Sequence, residues 1–381
     1  MRARVSEARR VVVKLGSNLF FNEAGAIALG RIFSFIEDIA AARLAGRQVI
    51  VVSSGAVALG ADALKMKSST ASLAQKQALA AVGQSRLMNL YEQGFARYGL
   101  TAAQVLLTEE DFSSRQRYLN LRHTLTTLLD MGVIPVINEN DTVSTTELEI
   151  TDRSPSFGDN DKLSALVMSK LEAGVLILLS DVDGLFTENP RENPHAEFIA
   201  EVHEITPDIL AVAGRKSGRG RGGMATKLEA ARIAMNSGGM AIIANGLKPG
   251  ILRRVLSGES EGTLFVAKTA LSEKRRWIAF ASAVSGRIHI NEGAMTAIIK
   301  KNASLLYAGV TRIENEFDRG DVVSIVGPDE QEIARGIVNY SSADAAKLIG
   351  KHSDEISRLA TSKNYDAFIT RNNIAFLTDH R

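Results

Sequence analysis

Two lysines in this chain lie where a short apolar run gives way to a glycine turn. Lys14 is in VVVKLGSN (11–18), and Lys227 ends the glycine-rich segment SGRGRGGMATK (217–227). A turn without side-chain bulk lets backbone N–H groups gather around an anion, and a fixed ammonium group adds the charge that a transferring phosphoryl group requires. The two segments therefore predict a phosphate-binding site.

The glycine-rich segment does not match the standard phosphate motifs. Gly218 and Gly223 have the spacing of a P-loop, but Met224 occupies the position of its lysine. The same glycines, with Gly220, satisfy G-x-G-x-x-G, yet polar residues precede them rather than a strand, so we reject a dinucleotide-binding site. Taken alone, the segment favours an arginine-rich surface loop. The helical pattern of TKLEAARIAMNSGG (226–239) favours an anion site instead, because the glycines then lead into a helix N-terminus.

Strand-like runs alternate with helical patterns from residue 11 to residue 268. Strands are predicted at 11–15, 48–54, 102–107, 133–139, 174–181 and 240–245. Helices are predicted between them, among others at 28–46 and 72–99. Continuous Val, Ile and Leu runs separated by helices indicate an α/β fold, a three-layer αβα sandwich with a mostly parallel sheet.

Four of the predicted strands end in polar or glycine clusters. The clusters are Lys14–Gly16–Ser17, Ser53–Ser54–Gly55, Asn138–Glu139–Asn140–Asp141 and Ser180–Asp181–Val182–Asp183–Gly184. Any one of them is typical of an ordinary turn or helix cap. Ligands of parallel sheets bind at the carboxyl ends of strands, so four clusters at one edge predict a binding site there.

The pattern changes after EGTLFVAK (261–268). We predict a first domain at 8–268, a linker at 269–284, a small β-rich domain at 285–365 and a C-terminal extension at 366–381, whose last part is an extension or a closing strand. Strands of the β-rich domain are predicted at 287–291, 321–327 and 331–340.

Composition excludes several kinds of site. The 381 residues are 45% hydrophobic, which suits two or three domains, and they include no cysteine, which rules out disulfides and thiolate chemistry. Six histidines occur singly, so any metal is expected to have oxygen ligands.

Charge and hydropathy favour a soluble, cytoplasmic protein. The charged N-terminus lacks the apolar run of a secretory signal, and no segment approaches the ~20 apolar residues of a membrane span. The formal net charge of +2 is close to balance and does not favour a polyanion-binding protein as a whole.

Seven motifs occur in order along the first predicted domain. They are VVVKLGSN, VVSSGAVALG, AVGQSRL, PVINENDTV, FGDNDKLSAL, LLSDVDGLFT and GRGGMATKLEAA. Together they closely resemble the amino acid kinase family, and within it the branch that acts on L-glutamate. The C-terminal module resembles a PUA domain.

The resemblance implies ATP-dependent phosphorylation of the side-chain carboxylate of L-glutamate to L-glutamyl 5-phosphate, as the first step of proline biosynthesis. It also implies a homo-oligomer (a dimer or tetramer), proline as a feedback inhibitor and contact with the next enzyme of the proline pathway. ATP and Mg²⁺ are the expected cofactors, with no metal ligands assigned. No membrane partner and no nucleic acid are expected.

Matched motif by motif, the resemblance implies a role for each candidate residue. Lys14 and Lys227 would be catalytic and flank the phosphoryl group, and the catalytic Asp161 would orient them. L-Glutamate would be held by Ser54, Asp141 and Asn160. ATP would be held by Lys14, Gly16, Ser180, Asp181, Arg221, Gly222, Gly223, Met224, Ala225, Thr226 and Lys227.

The chemistry is consistent with these roles. A carboxylate nucleophile needs no general base, whereas its approach to a polyanion requires positive charge from lysines and Mg²⁺. Asp141 offers an anionic partner for the ammonium group of a free amino acid, which favours a small α-amino acid over an acylated acceptor or UMP.

Two alternatives stay open. Another enzyme of the family would phosphorylate acetylglutamate, aspartate, carbamate or UMP. An RNA-binding protein would act through the β-rich module and the basic loop, although that module is sparse in interleaved aromatic and basic residues. The sequence also departs from the family pattern in two places. TELEITDRSPS (146–156) is longer and more charged than expected and would form a lid beside the acceptor site, and Arg221 replaces a small polar residue.

Overall fold

The computed structural model describes most of the chain, namely residues 1–67, 70–108, 110–113, 115–143, 160–190, 192–213, 223–266, 273–281, 284–346 and 367–377. Arg221, Gly222 and the insertion at 146–156 lie outside the described residues. The chain divides into two compact units, Met1–Asp111 with Arg115–Ala270 and Phe112–Ser114 with Leu271–Arg381.

A large sheet forms the centre of the first unit. The strands of this unit are β1 (Arg10–Leu15), β2 (Gln48–Ser53), β3 (Ala102–Leu107), β4 (Ile134–Glu139), β5 (Val175–Ser180), β6 (Leu185–Phe186), β7 (Phe198–Ile199), β8 (Glu201–Val202), β9 (Met240–Asn245) and β10 (Thr263–Val266). Over the described residues, eight of them form one sheet in the order β3, β4, β2, β1, β5, β9, β10, β8, and β6 pairs with β7.

The strands from β3 to β9 in this order run parallel, and β10 is antiparallel to β9. The predicted mostly parallel α/β sheet is therefore confirmed, and each of the six predicted strands is present. Because parallel strands end at the same edge, the polar clusters that follow β1, β2, β4 and β5 lie along one edge of the sheet.

Helices connect these strands. They are α1 (Ala3–Glu7), a 3₁₀ helix (Ser17–Phe20), α2 (Leu29–Leu44), α3 (Ala56–Leu64), α4 (Leu73–Ala96), α5 (Glu110–Ser113), α6 (Arg115–Asp130), α7 (Asn160–Leu171), α8 (Pro207–Ala213), α9 (Met224–Asn236) and α10 (Ile251–Leu256). The predicted helices at 28–46, 72–99 and 226–239 correspond to α2, α4 and α9.

Strand β1 shows that helices cover both faces of the sheet. Val11, Val13 and Leu15 belong to a buried cluster that also contains residues of α2, α4 and α10. Side chains alternate along a strand, so Val12 and Lys14 point to the opposite face. Helix α7 packs on β1 from that side and also contacts α9. The three-layer αβα sandwich is confirmed.

Helices α3 and α4 cross at very short range. A Cβ at Gly83 would lie 1.7 Å from the carbonyl oxygen of Ala56, and a Cβ at Gly60 would lie 1.9 Å from that of Leu79. Only glycine permits this approach, which brings α4 against the start of α3, immediately after the end of β2.

The second unit contains a smaller mixed sheet. Its strands are β11 (Gly286–Ile290), β12 (Val310–Glu314), β13 (Val322–Val326), β14 (Glu332–Ile337) and β15 (Ile374–Phe376), in the sheet order β12, β11, β13, β14, β15. Its helices are α11 (Glu273–Arg276), a π-helix (Trp277–Ala281), α12 (Glu292–Lys301), a 3₁₀ helix (Tyr307–Gly309), α13 (Ser342–Ala346) and a 3₁₀ helix (Arg371–Asn373).

The three strands predicted for this unit are present, and the closing-strand interpretation of the C-terminus is confirmed by β15, which pairs antiparallel with β14. Strand β12 was not predicted, because it begins with one buried valine and continues with exposed Thr311 and Arg312. Within the described ranges of both units, no helix has the length and apolar character needed to cross a membrane.

Candidate active site

Lys14, Asp161 and Lys227 meet in the first unit. Lys14 Nζ lies 2.6 Å from Asp161 Oδ1, and Lys227 Nζ lies 3.1 Å from Asp161 Oδ2. The side chain of Asp161 is fully buried, and those of Lys14 and Lys227 are 6% and 5% exposed. Two ammonium groups therefore share one carboxylate in a largely dehydrated environment.

Three elements that are distant in sequence supply these side chains. Lys14 lies near the carboxyl end of β1, on the face that α7 covers. Asp161 is in the first turn of α7, where a negative charge stabilises the positive end of the helix dipole. Lys227 is in the first turn of α9, where a buried cation is unfavourable for the helix and for hydration. Since local stability disfavours Lys227 at this position, its presence indicates a chemical role.

Asp161 remains ionised despite its burial. Burial alone would raise the pKa of Asp161, but the charges of Lys14 and Lys227, and the hydrogen bonds that both lysines donate, outweigh that effect and hold the pKa well below its ordinary value. The carboxylate is therefore charged at neutral pH and keeps both ammonium groups in place.

The start of α9 also contacts Asp161. Thr226 Oγ1 lies 3.0 Å from Asp161 Oδ2 and 2.9 Å from the carbonyl oxygen of Gly223, and its hydrogen is shared between these two acceptors. Gly223 precedes α9 and provides no side-chain cap. Backbone N–H groups at such a helix start attract an anion.

The turn after β1 lies against the end of β5. The backbone N–H of Gly16 donates to the carbonyl oxygen of Leu179 at 3.1 Å. A Cβ at Gly16 would lie 3.3 Å from that oxygen, which is a tight contact, and 3.9 Å from Lys14 Nζ, which is an ordinary one. At the end of β5, Ser180 Oγ donates to Asp181 Oδ1 at 3.1 Å. Three residues predicted to bind ATP thus lie near Lys14 at one edge of the sheet.

A chain of amide hydrogen bonds lies beside the lysine pair. Asn160, the neighbour of Asp161, donates through Nδ2 to Ser54 Oγ at 2.8 Å and to Asn138 Oδ1 at 3.0 Å. Asn138 Nδ2 in turn donates to Gln84 Oε1 at 2.9 Å. Two residues predicted to hold the acceptor substrate, Ser54 and Asn160, are therefore in direct contact.

The structure places three of the remaining predicted site residues and does not describe two others. Asp141 follows β4 at the same edge of the sheet and is buried. Met224 and Ala225 form the first turn of α9 together with Thr226. Arg221 and Gly222 lie outside the described residues.

Two residues of the amide chain were not predicted as site residues. The sequence gives Asn138 no role beyond its strand-end cluster and gives Gln84 none beyond the motif AVGQSRL. For Asn138, the signal in the sequence is a pair of polar residues, Asn138 and Glu139, at the end of an apolar strand. For Gln84, it is a glutamine beside a glycine in the middle of a helix.

No group of three or more His, Cys, Asp or Glu side chains in the described part of the chain is arranged to hold a metal ion. Asp161, the most buried acid near the lysines, has both oxygens engaged by them.

Fold and site together define the class of the protein: an α/β protein with paired lysines and a helix N-terminus suited to phosphate at the carboxyl edge of a parallel sheet. The model of the amino acid kinase family matches residues 9–245, and that of the PUA domain matches residues 286–360. The chain belongs to the amino acid kinase family and carries a PUA domain, which confirms both resemblances.

Similar proteins extend over almost the whole chain. A protein of Pelobacter propionicus named glutamate 5-kinase is 45% identical over 371 residues, which are 97% of this chain and 98% of the relative. A protein of Moorella thermoacetica with the same name is 44% identical over 378 residues, 99% of this chain and 98% of the relative. Among solved structures, a UMP kinase of Bacillus anthracis aligns with 69% of this chain and 97% of its own, at a TM-score of 0.45 and 16% identity.

Proposed function

We propose that this chain is an ATP-dependent kinase that phosphorylates the side-chain carboxylate of L-glutamate, producing L-glutamyl 5-phosphate and ADP in the first step of proline biosynthesis. The relatives named glutamate 5-kinase support this activity, since their similarity covers both units of the chain.

The observation that carries the proposal is the shared carboxylate. Within the group of Lys14, Asp161 and Lys227, two buried ammonium groups are held against one buried carboxylate. A charge in a poorly solvated site interacts more strongly with an incoming anion than it would in water. Negative charge that develops on a transferring phosphoryl group would be stabilised there.

In the proposed reaction, a side-chain oxygen of glutamate attacks the γ-phosphorus of ATP. The new oxygen–phosphorus bond forms as the bond from the γ-phosphorus to the bridging oxygen breaks, and ADP leaves with that electron pair. The nucleophile is already an anion, so no proton has to be removed. The chain's task is to place the two substrates in line and to offset their repulsion.

The two substrates would bind on either side of the lysines. ATP phosphates would lie at the start of α9 and at the turn of Gly16, next to the end of β5. Glutamate would lie against Ser54, Asn160 and Asp141, with Asp141 as the partner of its ammonium group.

Mg²⁺ fits this site as an ion carried mainly by the nucleotide. Magnesium usually keeps several water ligands and takes one or two carboxylates plus substrate phosphates, so it does not need a dedicated cluster of acids. It would supply positive charge on the phosphate oxygens, and the fixed lysines supply the remainder.

The cytoplasmic location, the homo-oligomer, inhibition by proline and contact with the next enzyme of the pathway stay predictions. So do the roles given to Arg221 and Gly222 and the lid formed by residues 146–156.

The acceptor is tested by measuring ADP release from Mg-ATP with L-glutamate, N-acetyl-L-glutamate, L-aspartate, carbamate and UMP in parallel. Hydroxylamine should trap the product formed with glutamate as a hydroxamate, because an acyl phosphate reacts with it and the phosphoanhydride formed from UMP does not. We expect turnover with glutamate to exceed that with every other acceptor. A folded protein that releases ADP with another acceptor but not with glutamate would overturn the proposal.

A further inference from the structure

Gln84 is a buried polar residue to which the proposed reaction assigns no role. It lies in the middle of α4, within AVGQSRL, and only 8% of the residue is exposed. A buried amide costs free energy unless hydrogen bonds replace those it made with water. An apolar residue at this position would be the simpler choice for packing.

The backbone next to Gln84 explains how its side chain reaches the sheet edge. Gly83 allows α4 to approach the carbonyl oxygen of Ala56 so closely that a Cβ would lie only 1.7 Å from it. Ala56 begins α3, directly after the Ser54 turn of β2. The glycine therefore places the following glutamine beside the ends of β2 and β4.

The contact that Gln84 makes fixes the orientation of another amide. Its Oε1 accepts a hydrogen bond from Asn138 Nδ2 at 2.9 Å, and this contact is buried. With its NH₂ group held toward Gln84, Asn138 must present Oδ1 on its other side, where it accepts from Asn160 Nδ2 at 3.0 Å. If Asn138 turned over, its NH₂ group would face that of Asn160, and two donors would meet.

Asn160, the last residue in this series of hydrogen-bonded amides, lies at the proposed acceptor site. Asn160 Nδ2 donates to both Asn138 Oδ1 and Ser54 Oγ, so both of its hydrogens are used and its Oδ1 is turned away from them. In the described part of the chain, Asn160 Oδ1 is buried and has no hydrogen-bond partner. Buried groups without partners in a folded protein are expected where a ligand supplies the missing hydrogen bonds.

We propose that Gln84 is a positioning residue for the acceptor substrate, which acts by fixing the Asn138 amide and thereby the orientation of Asn160. The inference rests on the proposed function, because it concerns the glutamate side of the same site. Gln84 sets the geometry of glutamate binding and takes no part in binding ATP.

The first test is the substitution Gln84→Met, which keeps the length of the side chain and removes its amide. We expect the KM for glutamate to rise by about tenfold, the size of effect produced by losing one well-made buried hydrogen bond. The KM for ATP should not change. The matched control is Gln93→Met on the exposed side of the same helix, which should leave both KM values unchanged. If Gln84→Met does not give a wild-type melting profile, Gln84→Leu takes its place.

A double-mutant cycle tests whether Gln84 acts through Asn138. If it does, Gln84→Met should add nothing to the KM for glutamate once Asn138→Ala is present. Gln84→Glu, whose carboxylate keeps an acceptor for Asn138 Nδ2, should give a KM closer to that of the wild type than Gln84→Met does. Additive effects in the cycle, or equal rises of the KM for glutamate and for ATP, would contradict the proposal.

These outcomes are separable from failure of the proposed function. If the wild-type protein does not phosphorylate glutamate, the proposed function fails. If the wild type is active and Gln84→Met leaves the KM for glutamate unchanged, only the role of Gln84 is wrong.

Discussion

Lys14 and Lys227 contact the two oxygens of one buried carboxylate, Asp161, at 2.6 Å and 3.1 Å. The contact joins the central strand β1 to the start of α9 through the first turn of α7. One carboxylate thus fixes the distance between two buried cations. That arrangement suits the transient binding of a phosphoryl group better than it suits stability, since the desolvation of buried charges is costly.

Replacing either lysine should affect turnover far more than folding. For Lys14→Met and Lys227→Met we expect kcat to fall by about 10²–10³-fold, the usual cost of removing one preorganised group that stabilises developing charge. The melting temperature should stay near that of the wild type, because methionine is of similar size and the remaining lysine still pairs with Asp161. Steady-state kinetics and thermal unfolding measure the two effects separately.

Lys301→Met provides the control for these variants, because Lys301 is an exposed residue in the last turn of α12. Its kcat should equal that of the wild type. If kcat of Lys14→Met or Lys227→Met stays within about tenfold of the wild type, the lysine concerned does not stabilise the transition state.

Asp161→Asn should destabilise the first unit. The substitution removes the carboxylate that two buried ammonium groups share, and removing one partner of a buried ion pair typically costs about 3–5 kcal/mol. Denaturant unfolding at neutral pH measures this loss. Asp62→Asn is the comparison, since Asp62 pairs with the exposed Lys65, and such a surface pair contributes at most about 1 kcal/mol. Equal stability of Asp161→Asn and the wild type would show that the ion pairs contribute nothing to folding.

The difference in free energy of unfolding between the wild type and Asp161→Asn should depend on pH. The pKa of Asp161 in the folded state is lowered, so its contribution to stability is complete above the pKa of about 3.9 that an aspartate has in the unfolded chain. The contribution is lost as the pH falls from there through the folded-state pKa. The difference in free energy of unfolding between wild type and Asp161→Asn should therefore be constant from neutral pH down to about 5 and shrink below about 3.9. A difference that grows on acidification would contradict a lowered pKa.

Asp141→Asn should weaken binding of the acceptor amino acid. The amide keeps the size of the side chain but removes the negative charge proposed to pair with the ammonium group of glutamate. We expect a raised KM for glutamate, while the KM for ATP and kcat change little. An unchanged KM for glutamate in steady-state kinetics would remove Asp141 from the acceptor site.

The close crossing of α3 and α4 makes a prediction about stability alone. In Gly83→Ala the new Cβ would meet the carbonyl oxygen of Ala56 at 1.7 Å, so backbone has to move, and overpacking of this kind costs about 1–3 kcal/mol or more. Gly30→Ala is the matched control, since a Cβ at this position in α2 meets nothing within 4 Å. The control should be stabilised by about 0.4–1 kcal/mol. Thermal unfolding measures the melting temperature of both variants. Equal melting temperatures would show that α3 and α4 do not approach each other this closely at Gly83.

The sheet of the first unit could be predicted because its strands are encoded locally. Runs such as VVVKL and VLILL are buried on both faces and are apolar almost without interruption, which is typical of parallel strands. The sequence pattern changes after EGTLFVAK (261–268) but does not predict strand β10. Strand β12 was missed because an edge strand with exposed Thr311 and Arg312 lacks that signal.

Some of the site could also be predicted from the chain alone. The glycine turns around Lys14 and Lys227 predict a phosphate site, whereas the role of Asp161 is implied only by the resemblance to the amino acid kinase family. Gln84 has no such local context, because glutamine residues are mostly exposed and nothing near this one in the sequence indicates burial. Its role depends on a glycine in the preceding position and on a strand end supplied by another part of the sheet.

The sequence by itself determined the strands, the helices, the glycine turns and the kinds of chemical group available, because each of these depends on neighbouring residues. Only the tertiary structure decided that Lys14 and Lys227 share one carboxylate and that Gln84 holds the Asn138 amide. The physical reason is that these contacts join residues distant in the chain. The order of strands in the sheet and the packing of α4, α7 and α9 on its two faces set their distances, and no local pattern specifies either.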